Sequence, residues 1–283
     1  MIAHGTLLLD RQVLEIGGED RVHFLHGLVT SDIESLGEGE GRFAALLSAQ
    51  GKILFDFFIA RRGELFLIDC PAAMRANLAK RLAMYRLRAK VTIADASDRV
   101  FGVWGEGAAE WAKGNAAFAF ADPRLPALGF RAIFLGSAGP EQTAGLADYE
   151  AHRIALGVPE GGKDYAYGET FPHDACLDLT HGVDFKKGCF VGQEVVSRMQ
   201  HRGTARTRVL AVTGDAPLPQ GGADIVADGL SVGRLGSVAG ARGIALARLD
   251  RVKDALAKGL AFTAGGVAVG LAVPGWATYS LDA

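Results

Sequence analysis

The stretch from Thr207 to the C-terminus admits few architectures. Short Val, Leu and Ala runs alternate there with glycine-rich turns, a spacing that suits many short strands. The natural solution is a small β-barrel, which removes the exposed edges such strands would otherwise leave. From Gly259 to Leu281 no residue is charged, a length that could span a bilayer as a helix. Gly265, Gly266, Gly270, Pro274 and Gly275 interrupt it, and Phe262, Val267, Val269, Leu271 and Val273 partly alternate. Two strands around the Gly265-Gly266 turn are therefore expected, and no membrane partner.

Upstream the pattern is mixed. Thr6–Ile16 reads as a hairpin or a pair of short strands, and Asp20 as the cap of a helix running to about Leu36. Phe43–Leu47, Ile53–Ala60 and Leu65–Cys70 read as an antiparallel meander. Ala72–Ala89 is the clearest helix, with Met74, Leu78, Leu82 and Tyr85 at helical spacing. Strands come next near Val91–Ile93, Arg99–Trp104 and Arg131–Leu135, with helices near Ala108–Lys113 and Asp148–Leu156. Strands with crossing helices imply an α+β class.

With 283 residues the chain can bury more than one core. Its net charge of −2 gives no overall attraction to nucleic acid, and direct nucleic-acid binding is not favoured. Cys70, Cys176 and Cys189 form no CxxC pair, which fits a reducing compartment. Met1-Ile2-Ala3-His4-Gly5 has neither the basic start of a secretory signal nor an Arg-rich import leader, so a cytoplasmic protein is expected.

The chemistry concentrates in Lys186-Lys187-Gly188-Cys189-Phe190-Val191-Gly192-Gln193-Glu194. Two ammonium groups and a helix start near Gly192 favour a thiolate at Cys189, and the flanking glycines leave room for another molecule to approach. The plain alternative is a small apolar residue in a glycine-rich turn. Glu194 has a plain alternative too, an ion pair with Arg198 one helical turn on.

This nonapeptide resembles the signature of the YgfZ-type folate-binding proteins, relatives of the glycine-cleavage T protein, an aminomethyltransferase. Phe24-Leu25-His26-Gly27-Leu28-Val29-Thr30-Ser31-Asp32 and Ser48-Ala49-Gln50-Gly51-Lys52 are similar to family segments in the same order. So are Asp122 to Gly129 and Arg153 to Pro159. The resemblance implies two ferredoxin-like lobes plus a small C-terminal β-barrel around a central cavity. Residues 1–48 with 140–203 would form the first lobe, 49–139 the second, and 204–283 the barrel. It implies a tetrahydrofolate-binding protein that supports assembly or repair of iron–sulfur clusters in client enzymes, tRNA-modifying radical-SAM enzymes among them. Folate and iron–sulfur client or assembly proteins would be the partners, and Cys189 the functional thiol. Asp56, Arg86, Lys187, Gln193 and Glu194 would serve folate or its loop.

Each has a competing reading. Arg75, Lys80, Arg81, Arg86 and Arg88, with Lys90 directly after, make a basic strip without an acid between Ala72 and Ala89, suited to a folate glutamate tail, RNA phosphates or an acidic partner, or simply to solvent. Asp56, among Phe55, Phe57 and Phe58, is either a proton-transfer group raised by burial or an acid satisfied by backbone. A folate-dependent aminomethyl- or methyltransferase is the rival function. It is weakened because Phe55 stands where the T protein carries a second aspartate. His173, Cys176, His181 and Cys189 fit no metal-ligand spacing, so no metal site is expected. Gly229-Leu230-Ser231-Val232-Gly233 matches the hydrolase elbow, but the adjoining Arg234-Leu235-Gly236-Ser237 is turn-like rather than helical. No dinucleotide, P-loop or HExxH motif is present.

Overall fold

The first two strands, separated by a turn at Leu9-Asp10, do not pair with each other. In this computed structural model, β1 (His4–Leu7) and β2 (Arg11–Gly17) enter different sheets, so the strand pair is present but the hairpin is not. The structure describes residues 3–136, 139–203 and 205–282. Met1 and Ile2 of the N-terminal reading, and Thr204 and Ala283 at the ends of the expected barrel, lie outside the described residues.

Next comes α1 (Arg21–His26), much shorter than the helix expected to Leu36. The Asp20 side chain does not cap it, because that carboxylate accepts the backbone N–H of Lys90 at 2.7 Å. Beyond Gly27 the chain turns extended. Val29 bridges Leu46, and the fully buried Thr30 hydroxyl donates to Gly182 O at 2.5 Å while accepting from Ala45 N at 2.8 Å. Sheet-like bonds satisfy this backbone more completely than another helical turn would.

The meander consists of β3 (Gly41–Leu47), β4 (Ile53–Arg62) and β5 (Leu65–Pro71). A short 3₁₀ turn then leads into α2 (Arg75–Arg86), which stops at Leu87, where φ is 45°. β6 (Thr92–Ala96), β7 (Arg99–Trp104), α3 (Ala108–Asn115), β8 (Phe118–Ala121) and β9 (Phe130–Phe134) complete this part. One sheet runs β3-β4-β5-β2-β6 and the other β1-β7-β9-β8.

The chain forms two compact units. One comprises Met1–Gln50, Leu54–Tyr149 and Thr180–Gln193 and contains both sheets. Strand periodicity sorts β4: Phe55, Phe57 and Ile59 join Leu14, Ile68 and Leu82 in an apolar core. Asp56 and Phe58 fall on the opposite face, where charge is buried. Arg11 and Arg131 both hold Asp69, at 2.7 and 2.5 Å, and Arg124 grips Asp122 at 2.8 Å. The Arg131 and Arg124 guanidinium groups lie 4.0 and 4.9 Å from the centre of the Phe58 ring. Because Asp69 is on β5 and Arg131 on β9, this network ties one sheet to the other.

The second unit comprises Gly51–Ile53, Glu150–Leu179 and Glu194–Ala283. Two helices, α4 (Leu146–Ala155) and α5 (Gln193–Arg202), precede the barrel strands. Arg153, wholly buried, donates to Asp164 at 2.7 Å and to Glu150 and Ser237, each at 2.8 Å. The barrel uses β10 (Thr207–Gly214), β11 (Asp224–Ala227), β12 (Leu230–Ala239) and β13 (Arg242–Arg248). After α6 (Leu249–Ala257) come β14 (Phe262–Ala264) and β15 (Val267–Ala272). It closes in the order β10-β13-β12-β11-β14-β15, since β10 pairs with both β13 and β15. Gly265 and Gly266, at φ 55° and 86°, make the expected tight turn. No helix among the described residues is long and apolar enough to cross a membrane. Ser231 lies within β12, without the strand-to-helix turn of a hydrolase elbow.

Candidate functional site

Helix α1 leaves its last carbonyls without intrahelical partners, as every helix end does. Lys187 serves the last of them: its ammonium donates to His26 O at 2.5 Å and, just beyond the helix, to Val29 O at 2.6 Å. It also lies 5.2 Å from the centre of the Phe190 ring. Burial pulls the Lys187 amine down to about 8, against the pull of Asp32, Asp184 and Glu34. The ammonium expected to activate the thiol, or to meet a folate, is thus an anchor that pins the cysteine loop to the end of α1.

Other bonds shape the loop on both sides. Asp184 accepts the N–H of Lys186 at 2.7 Å, and its own N–H bonds Thr30 O at 2.9 Å. On the far side, Phe190 N donates to Gln193 Oε1 at 3.4 Å, and Gln193 N to Phe190 O at 3.2 Å. Gly192 supplies the φ of 82° that this turn needs. Phe190 is buried, so the loop is fastened by Lys187 and Phe190 with Cys189 exposed between them.

The other thiols are unavailable. Cys70 and Cys176 are both fully buried. Burial, more than any neighbouring charge, pushes the Cys70 thiol up to about 12, and it raises Cys176 likewise. Among the described residues only Cys189 can meet a soft metal ion or an electrophile from outside.

The remaining expected residues are dispersed. Gln193 closes the loop. Glu194 sits on α5, paired with Arg198 at 2.7 Å, as its plain alternative supposed. Asp56 is buried on β4, and its charge is one of those felt by Cys70. Arg86 ends α2 beside a shallow cavity of about 490 Å³ that also takes in Leu87, Arg88, Lys90 and Glu19. The basic strip is partly answered from other elements: Arg75 pairs with Asp95 at 2.8 Å and Lys90 with Glu19 at 2.7 Å. Lys80, Arg81, Arg86 and Arg88 make no ion pair among the described residues.

Sequence reasoning did not single out His26 and Asp32 as site residues. His26 Nδ1 lies 3.1 Å from Asp32 Oδ1. Burial raises the Asp32 carboxyl, but hydrogen bonds from Ser35 and from the Glu34 and Ser35 backbone, with His26 nearby, bring it below its ordinary value. Both residues stand in the segment that resembles the family's first helix. No spacing rule connects them to a loop more than 150 positions later; only the Lys187 anchor does.

Known proteins resemble this chain in part or in whole. A model of the CAF17 C-terminal β-barrel domain matches residues 206–279. The human iron–sulfur cluster assembly factor IBA57, mitochondrial, is 31% identical, with 94% of this chain and 83% of that protein covered. The IBA57 homologue of Neurospora crassa, also named mitochondrial, is 33% identical over 72% of this chain; the chain spans about half of that protein's length, 52%. Among solved structures, the glycine cleavage system aminomethyltransferase T of Bartonella henselae superposes with a TM-score of 0.77 at 17% identity. That match covers 97% of this chain and 86% of the other, and shows a shared fold. The α+β class with a C-terminal barrel is therefore as expected. The cytoplasmic expectation is overturned, because these relatives are named mitochondrial.

Proposed function

The chain belongs to the IBA57 family of iron–sulfur cluster assembly factors, and on that premise we propose that it assists cluster assembly through the Cys189 loop. The YgfZ-type family that the motif resembles is a related one, and IBA57 is the specific family. The observation that carries the proposal is the exposure of Cys189 on a loop fastened at both sides, while the other two thiols are buried. A thiolate is the ligand type that iron–sulfur cargo requires, and an anchored loop presents it at little entropic cost. The cluster is cargo, received from and passed to protein partners, whether assembly proteins or client enzymes. Tetrahydrofolate is proposed as a cofactor, with Asp56 and Arg86 as its contacts, supported by the family resemblance and by the cations around Arg86. Radical-SAM enzymes that modify tRNA are proposed among the clients on the same resemblance.

The transferase reading is disfavoured by a particular residue. Phe55, where a second acid would be needed, is buried in the apolar core. To test the proposal, an apo iron–sulfur acceptor is given ferrous iron, sulfide and a thiol reductant, with and without this chain. Faster gain of the cluster's visible absorption is expected with the chain present, and equal rates would contradict it. Anaerobic calorimetry with tetrahydrofolate tests the cofactor: binding weakened by Asp56→Asn and Arg86→Gln is expected, and absence of heat removes folate from the account.

A further inference from the structure

Helix α2 ends on a residue that its backbone does not favour. The Ala89 N–H donates to Arg86 O at 2.7 Å, closing a four-residue turn with Leu87 in second position at φ 45° and ψ −107°. That is close to the second position of a type II′ turn, where glycine is the ordinary occupant because it carries no Cβ. Leu87 gains no burial in return. It is 88% exposed, more than any other large apolar side chain among the described residues. A strained backbone that holds an apolar side chain out in water serves neither folding nor solubility, and such outliers gather at functional surfaces.

The surroundings are cationic. Met84, 62% exposed, and Lys80 stand three and seven positions before Leu87, on the outward face of α2, while Leu78 and Leu82 are buried on the other. From Ala72 to Ala94 the chain has no acid. Lys80, Arg81, Arg86 and Arg88 make no ion pair among the described residues. Glu19, the acid beside Arg86 and Leu87, is held by Lys90 at 2.7 Å. The whole chain carries a net charge of −2, so these cations are a local concentration rather than a share of a general excess.

The shape of the tip selects the kind of anionic partner. An RNA calls for exposed aromatic rings on which bases stack, and the one aromatic of α2, Tyr85, packs against the core. A folded acidic protein would cover about 800 Å² around aromatic or large aliphatic anchors. Met84 and Leu87 are the only exposed large apolar side chains that α2 and its turn offer. A bilayer surface requires no matching socket. One protruding leucine enters the acyl boundary while the arginines beside it keep their charged heads among the phosphates.

We propose that the C-terminal end of α2 is a peripheral docking site for an anionic lipid surface. Leu87 is the inserted side chain, Met84 lies beside it, and Lys80, Arg81, Arg86 and Arg88 meet the headgroup phosphates. The contact spans nothing, so the expected absence of a membrane partner, which followed from the segment Gly259 to Leu281, does not bear on it. Nor does it rest on the cluster function proposed above.

The test is co-sedimentation of the full chain with phosphatidylcholine vesicles, with and without about one-third phosphatidylglycerol, at low salt. Binding to the anionic vesicles is expected, and it should fall as salt rises. Leu87→Gly and Leu87→Asn should each weaken it at least about tenfold, the transfer of one leucine side chain. Both should melt no lower than the wild type, since glycine and asparagine accept a positive φ more readily than leucine. Lys80→Gln, Arg81→Gln and Arg88→Gln should each weaken binding about fivefold. Arg86, proposed above as a folate contact, is left intact. Soluble polyglutamate serves as the control and should bind more weakly than the vesicles, with no dependence on Leu87. Absence of sedimentation with the anionic vesicles would overturn the inference, as would wild-type affinity in either folded Leu87 variant. Retention by polyglutamate but not by vesicles would overturn it in favour of an acidic protein.

Discussion

Cys70 and Cys189 carry the same side chain in opposite surroundings, and pH separates them. Burial lifts the Cys70 thiol from 9.0 to about 12 in the folded chain. Between those values the unfolded chain has released a proton that the folded chain keeps. The stability this group provides is therefore complete below pH 9 and drains away as pH rises through about 12. Unfolding free energies of the wild type and Cys70→Ala, measured across that window, should converge as pH rises; a constant difference would show that the thiol does not titrate late. At this scale the sequence was informative about which cysteine is exposed, because glycines and lysines around Cys189 announce an accessible loop. It was less informative about what those lysines do. Lys187 reads as an activating charge in sequence and proves to be an anchor, because the carbonyls it serves are brought to it only by the fold.

Among elements, the segment after α1 carries the most consequence. Thr30 fastens it to β3 through Ala45 and to the approach of the cysteine loop through Gly182 and Asp184. Replacing Thr30 by Val keeps the shape but leaves the Gly182 carbonyl and the Ala45 amide without the hydroxyl, at about 1–3 kcal/mol for each orphaned group. Thr30→Val should accordingly lower the urea midpoint and speed hydrogen exchange at the Asp184 amide, with wild-type values for both contradicting the assignment. This is also where sequence reading went furthest astray. Val22, Leu25, Leu28 and Val29 have helical spacing, yet the helix ends at His26, because β-branched Val29 and Thr30 find strand partners that no local pattern encodes. The meander, α2 and the turn at Gly265-Gly266 were legible because alternation, helical spacing and glycine pairs are local signals. β8 was not: four residues between loops carry too little pattern.

For the molecule as a whole, each unit buries its own arginine network. In the first, Asp69 serves both Arg11 and Arg131, so Asp69→Ala strands two guanidinium groups in the interior. A loss of about 3–5 kcal/mol is expected from breaking such a pair, readable by denaturant unfolding. A change below about 1 kcal/mol would mean the network is better solvated than the geometry implies. Neither network was foreseen from sequence, since Asp69 and Arg131 are sixty-two positions apart and meet only when the two sheets form. The architecture around them was foreseen, as strand spacing after Gly203 pointed to a barrel and the cysteine motif to the fold family. The central claim is that this scaffold exists to present one thiol to iron–sulfur cargo. The most direct measurement compares wild type and Cys189→Ala in delivering a cluster to an apo acceptor, with melting temperature and circular dichroism confirming an intact fold. The account predicts that the variant, though folded, gives no acceleration over the protein-free reaction. Delivery by Cys189→Ala at the wild-type rate would contradict it.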